Sequence, residues 1–185
     1  ANTGVLTCEA GVTLREIVET FVPRGWFLPV TPGTKFVTVG GAIAANVHGK
    51  NHHKVGSFTE FVTEIVLLMS DGRVLTCSNS ENKDLFNATC GGMGMTGLIL
   101  RATFSLISIE TRFIQQRVIK TRNFNETLEC FKENACSTYS VAWVDCLASG
   151  ESLGRSVVML GEHARQRDLD TQKKSPLLRE VKNQL

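Results

Sequence analysis

The sequence predicts an α+β chain laid out in two blocks. Helical and β-rich runs follow one another without the regular strand–helix alternation of a doubly wound sheet. A glycine- and alanine-rich stretch, Pro29 to Phe58, interrupts the first block, and the pattern turns polar around Glu110 to Gln116 before it restarts. At 185 residues the chain suits one domain or one and a fraction, and its formal charge of +2 gives no ground for nucleic acid as a partner. No run reaches transmembrane length and the first residues lack signal-peptide order, so the chain reads as soluble, and cysteines sparser than those of a secreted disulfide scaffold make a cytoplasmic location the expectation.

The first block opens on GVLTCEAG, which reads as a strand already in progress. Thr13 and Glu16 form a capping box, and Leu14, Ile17, Val18 and Phe21 recur at helical spacing until Pro23 and Gly25 end the helix. A short strand, Trp26 to Val30, leads to Thr31-Pro32-Gly33-Thr34, a type II turn if Gly33 takes positive φ. Phe36 to Val39 then runs into Gly40-Gly41. Phe61 to Met69 and Arg73 to Cys77 flank Ser70-Asp71-Gly72 as a hairpin, Ser80 is expected to cap a short helix through Phe86, and Leu98 to Ile109 reads as a long buried strand.

In the second block, Asn123 to Ala135 reads as a capped helix with Leu128, Phe131 and Ala135 inward. Tyr139 to Val144 and Ser156 to Leu160 read as strands. From His163 the chain is charged and weakly patterned, as a linker or surface segment is. The ends, GVLTCEAG and KKSPLLREVKNQL, read as interrupted, so an internal fragment is expected. Cys8, Cys77, Cys90, Cys130, Cys136 and Cys146 include no CxxC pair, and reduced, buried thiols are expected.

Three motif lookalikes fail on context. Gly92-Met-Gly94-Met-Thr-Gly97 matches GxGxxG, but a helix precedes it and a strand follows, the reverse of the dinucleotide fingerprint; backbone contact with a ligand stays open there. Gly49-Lys50 lacks both the first glycine and the hydroxyl of a P-loop, since Ala44 and Asn51 hold those positions. His48 and His52 have the i, i+4 spacing of a zinc helix, but Gly49 disfavours helix and no HExxH glutamate is present, so no metal is assigned.

What remains is the Pro29–Phe58 stretch, with five of the sixteen glycines and three of the four histidines. So few bulky side chains predict a weak core element, approached by another backbone or by a flat polar ligand. The turn at Pro32-Gly33, the main chain of Thr38 to Gly41 and the run Ala42 to Ala45 would form a backbone cradle for a planar, partly anionic ligand. His48 and Lys50 would stand at its rim, His48 and Lys50 being the groups able to bind charge or move a proton. His52 and His53 read equally well as a polar loop.

The string TPGTKFVTVGGAIAANVHGKNHH, followed by GSF, a hairpin with Asp-Gly and ATCGGMGMTGLILRAT, resembles the FAD-dependent oxidases of the vanillyl-alcohol-oxidase fold, whose FAD-binding domain is of the PCMH type. The likeness continues through YSVAWVD and LGRSVVML. It implies that residues 1–111 are the second subdomain of that FAD-binding domain, without the first, and that 112–185 begin an α+β substrate domain. By position it implies FAD contacts at Gly33, Thr38, Val39, Gly40, Gly41, Ala45, Asn46, Val47 and His48, and at Ile99 through its backbone, with Lys50 facing the substrate. The implied reaction is oxidation of a secondary sugar hydroxyl by hydride transfer to FAD, on a small or lipid-linked sugar. A lactone or alditol oxidase and a non-catalytic interaction module are the alternatives. The implied partner is an NAD(P)H-dependent ketosugar reductase, and any membrane association would come through a lipid-linked substrate at the inner membrane.

Overall fold

The computed structural model describes residues 3–170 and the backbone of 178–180. They divide into two compact units between Ile109 and Glu110.

The first unit begins with β1 (Val5–Glu9) and α1 (Leu14–Phe21). The capping box forms as the sequence predicts: Glu16 N–H donates to Thr13 Oγ1 at 3.2 Å, and Thr13 N–H donates to Glu16 Oε2 at 2.8 Å. Bonds from the Thr13 side chain and backbone hold the Glu16 carboxyl below its usual range. Thr13→Ala is expected to cost about 1 kcal/mol of stability, read as a lower denaturation midpoint at unchanged slope. A 3₁₀ turn, Val22–Arg24, ends on Gly25 at φ 80°, where the carbonyl of Ile109 leaves little room for a side chain.

The predicted strand Trp26 to Val30 shrinks to β2 (Trp26–Phe27). The type II turn is not formed, because Gly33 lies outside the positive-φ region and the chain there is a bend in extended backbone. The carbonyls of Lys35 and Val37 accept from Arg15 and Leu14 N–H, first-turn donors of α1, and this pins the strip in an extended course. Beyond it lies a helix that the sequence reading lacks, α2 (Val39–Ala44), then α3 (His52–Val55).

β3 (Val62–Leu68) and β4 (Val74–Ser78) form the predicted hairpin, with Gly72 at φ 84°. α4 (Lys83–Thr89) starts from Asn82 in the left-handed region, not from Ser80, whose Oγ pairs instead with Ser78 Oγ. The predicted long strand is split at Leu106 into β5 (Leu98–Ser105) and β6 (Ile107–Ser108), because Leu106 N–H turns to the Gly4 carbonyl. The main sheet is antiparallel in the order β1-β5-β3-β4, and β2 pairs with β6. Its core includes Leu14, Ile43, Phe58, Ile65, Leu67 and Phe104, all almost wholly buried.

The second unit holds β7 (Phe113–Thr121), α5 (Phe124–Glu133), β8 (Tyr139–Val144), β9 (Ser156–His163), α6 (Gln166–Asp170) and β10 (Leu178–Glu180), with sheet order β10-β7-β9-β8. β7 is absent from the sequence reading. Asn123 caps α5 through a bond from Glu126 N–H. The helix buries Thr127 and Cys130, not Leu128, which is 41% exposed, nor Ala135, which is also exposed; Phe131 does pack inward. The tail expected to be a linker from His163 contains the end of β9, α6 and β10, and its stretches 171–177 and 181–185 lie outside the described residues.

The cysteines depart in part from expectation. Cys77 and Cys130 are buried, Cys8 and Cys90 are half-buried, and Cys136 and Cys146 are exposed. Burial pushes the Cys8 and Cys90 thiols up to about 11, so both are protonated at neutral pH. Among the described residues no helix is long and apolar enough to cross a membrane.

Candidate flavin site

The small-residue stretch is a core helix. Thr38 is its N-cap, with Oγ1 accepting from Gly41 N–H at 3.1 Å, and α2 puts Val39, Ala42 and Ile43 at 0% exposure. This corrects the expectation of a weak core element: two apolar residues and one Ala on the inward face suffice at 3.6-residue spacing. The other half of that expectation holds. Gly40 lies against Ala10, where an added Cβ would sit 2.9 Å from Ala10 Cβ. The outward face keeps Gly41 and Ala45, one turn apart and exposed, so nothing larger than a methyl rises from it.

The backbone of this stretch is less available than a cradle of N–H groups requires. Val39, Gly40, Ala42, Ala45, Asn46 and Val47 N–H donate to Val12, Ala10, Thr38, Gly41, Ile43 and Ala42 carbonyls. Gly41 N–H is taken by Thr38. The surface offered to a ligand is therefore chiefly the flat small-residue face and the side chains at its ends.

The C-terminal end of α2 is finished by two neighbours. Asn46 takes φ 41°, and its Oδ1 accepts from Thr59 Oγ1 at 2.7 Å. The GMGMTG loop and the glycine before it supply donors for the last carbonyls: Gly91 N–H to Ile43 O at 3.0 Å and Met93 N–H to Ala44 O at 2.8 Å. That loop follows α4 and precedes β5, the reverse of the strand-then-helix order of a dinucleotide fingerprint.

From Val47 the chain forms a loop closed at its base by Phe58 N–H to Val47 O at 2.9 Å and by a β-bridge between His48 and Ser57. His48 and Lys50 are exposed, and the His48 and His52 rings lie 5.3 Å apart, tilted. Asn51, between them, is 2% exposed and donates from Nδ2 to Pro29 O at 2.7 Å. Among the described residues no group of three or more His, Cys, Asp or Glu is placed to hold a metal.

The expected cofactor residues thus separate. Gly33, Gly41, Ala45 and His48 are exposed, and Thr38, Gly40, Asn46 and Val47 are half-buried around the same helix. Val39 and Ile99 are buried at 0% and 8%, Ile99 within β5 opposite Leu67, so their side chains serve the core. Sequence reasoning missed Thr38 as a cap and Asn51 as an anchor. The first was readable from Thr38-x-x-Gly41 spacing; the second carries no local signal.

Residues 1–78 match the FAD binding domain family. The chain is 39% identical to decaprenylphosphoryl-beta-D-ribose oxidase of Mycolicibacterium smegmatis, over 96% of this chain and 39% of that protein. It is 29% identical to a D-lactate dehydrogenase of Archaeoglobus fulgidus over 73% of this chain and 31% of the relative. It is 30% identical to a putative D-arabinono-1,4-lactone oxidase of Neurospora crassa over 57% and 19% respectively. The chain spans about two fifths or less of the length of these relatives.

Proposed function

We propose that the chain, whose residues 1–78 match the FAD binding domain family, is part of an FAD-dependent oxidoreductase that oxidises a secondary hydroxyl of a sugar to a ketone, as a decaprenylphosphoryl-ribose 2'-oxidase would. The observation that carries the reading is the exposed small-residue face formed by Gly41 of α2 and its C-cap Ala45, followed in the chain by His48 and Lys50. A flat ring system needs such a face, and a charged, hydroxyl-bearing substrate needs such a rim. Identity of 39% across nearly the whole chain supports a lipid-linked sugar as the substrate class.

FAD would supply the acceptor for a hydride from the carbinol carbon, which leaves the hydroxyl proton to be taken by a base of the protein. In this chain the His48 imidazole is the candidate for that base and the Lys50 ammonium for holding the sugar or its phosphate. The exposed face of α2 would fix the ring against which the carbon is aligned. The division between Ile109 and Glu110 supports assigning residues up to Thr111 to the flavin domain and 112–185 to the start of a substrate domain. A cytoplasmic protein that meets the inner membrane through its substrate, with an NAD(P)H-dependent ketosugar reductase consuming the ketone, completes the proposal.

The test is an absorbance spectrum of the full-length protein, followed by anaerobic addition of decaprenylphosphoryl ribose, D-arabinono-1,4-lactone or an alditol. A flavin band that bleaches with the lipid-linked sugar is the expected result. Bleaching with the lactone or alditol alone moves the protein to that branch of the family, and failure to bind FAD on reconstitution leaves an interaction module.

A further inference from the structure

We infer that Asn51 is a positioning residue, the anchor that holds the His48–Lys50 loop against the strip Pro29–Thr31, and this rests on the reading of His48 and Lys50 as substrate-side groups. Three observations converge on it. Asn51 is 2% exposed although both neighbours, Lys50 and His52, are exposed, so the loop turns one polar side chain inward at its tip. That side chain bridges 22 residues of sequence through its 2.7 Å bond to Pro29 O. The backbone beside it is in tight contact with the same strip: a Cβ on Gly49 would sit 2.7 Å from Thr31 O and 2.9 Å from Asn51 Oδ1.

The geometry assigns the work to the donor end of the carboxamide. Nδ2 is bonded, whereas Oδ1 is buried and accepts no hydrogen bond among the described residues. The loop base is already closed by the Val47–Phe58 bond and the His48–Ser57 bridge, so loss of the anchor frees the tip without opening the base. The tip carries Lys50, one residue away, and the strip carries Gly33, two residues beyond Thr31. One hydrogen bond therefore ties the rim cation to the strip that leads through Gly33 to Thr38, the N-cap of α2.

Asn51→Asp tests this in the FAD-loaded full-length protein, because the carboxylate keeps the shape and loses the donor. At about pH 8, hydrogen exchange at the amides of residues 48–57 should quicken and KM for decaprenylphosphoryl ribose should rise, each about tenfold, with flavin content unchanged, as loss of one buried hydrogen bond implies. A carboxyl facing a carbonyl at a buried position takes up a proton readily, so at about pH 6 it regains an O–H donor, and both properties should return toward the wild type measured at the same pH. A space-filling role would not produce that recovery. Asn51→Ser, with a shorter hydroxyl donor, serves if the aspartate variant does not fold, and should show the same changes without the pH recovery. Unchanged exchange at pH 8 overturns the anchor; faster exchange with unaltered KM, or no recovery at pH 6, overturns the positioning role. If the wild type oxidises no sugar, the functional reading falls by itself, while the exchange comparison still decides the anchor.

Discussion

Replacing Gly92 by alanine is expected to destabilise the first unit by about 3 kcal/mol and to release FAD from the loaded protein, the upper range for a side chain forced into packed backbone. An added Cβ would lie 2.1 Å from the carbonyl oxygen of Ala88, in the last turn of α4; the Cβ is fixed by its own Cα and the oxygen is backbone, so neither can rotate away. Either α4 or the GMGMTG loop must move. If the loop moves, the donors from Gly91 and Met93 leave the carbonyls of Ile43 and Ala44, and the end of α2 loses its cap. Gly94, by contrast, has open space around its Cβ position and pays only for φ 79°, so Gly94→Ala should cost about 1 kcal/mol. Thermal unfolding and flavin retention on gel filtration, measured for both variants, check the ordering. Equal losses would mean that the loop is held by its turn conformations and not by its fit between α4 and α2.

The elements with self-contained signals were legible in the sequence. The capping box of α1, the Asp-Gly hairpin of β3 and β4 and Asn123 before α5 each satisfy their polar groups from nearby residues, and the structure has them. The failures are places where a distant partner decides. Pro32-Gly33 has turn chemistry, but the first turn of α1 supplies N–H donors that hold the strip after it extended. Gly40-Gly41 speaks against helix by propensity, yet Thr38, Val39, Ala42 and Ile43 supply a cap and a buried face that outweigh about 1 kcal/mol per glycine. β7 alternates polar and apolar residues only loosely, and its pairing along eight residues with β9 makes it a strand. Of the candidate site, the residues were nameable, through the resemblance and the small-residue run; their arrangement was not, because His48 is bridged to Ser57 and Asn51, beside Lys50, is bonded to Pro29, partners that no local spacing announces.

Lys50→Met should then separate binding of the sugar from binding of the flavin. Methionine keeps the length and the apolar stem but removes the ammonium, and Lys50 is exposed, so little folding energy is at stake. A charge-assisted bond to a phosphate or sugar oxygen is worth roughly 1.5–3 kcal/mol, so kcat/KM for decaprenylphosphoryl ribose should fall about tenfold to a hundredfold. If the ammonium grips a part of the substrate that does not react, the loss falls on KM and kcat is nearly kept; if it acts on the reacting hydroxyl, kcat falls with kcat/KM. The expected result is the first, because an imidazole has a ring nitrogen able to accept the hydroxyl proton, whereas an ammonium has donors only and suits a grip on substrate oxygens. His48→Gln should accordingly lower kcat and leave KM near the wild-type value. A Lys50→Met enzyme with wild-type kcat/KM would remove the lysine from the site and leave the anchor at Asn51 serving His48 alone, whereas loss of the flavin in that variant would place the ammonium on the cofactor's phosphates instead of the substrate's.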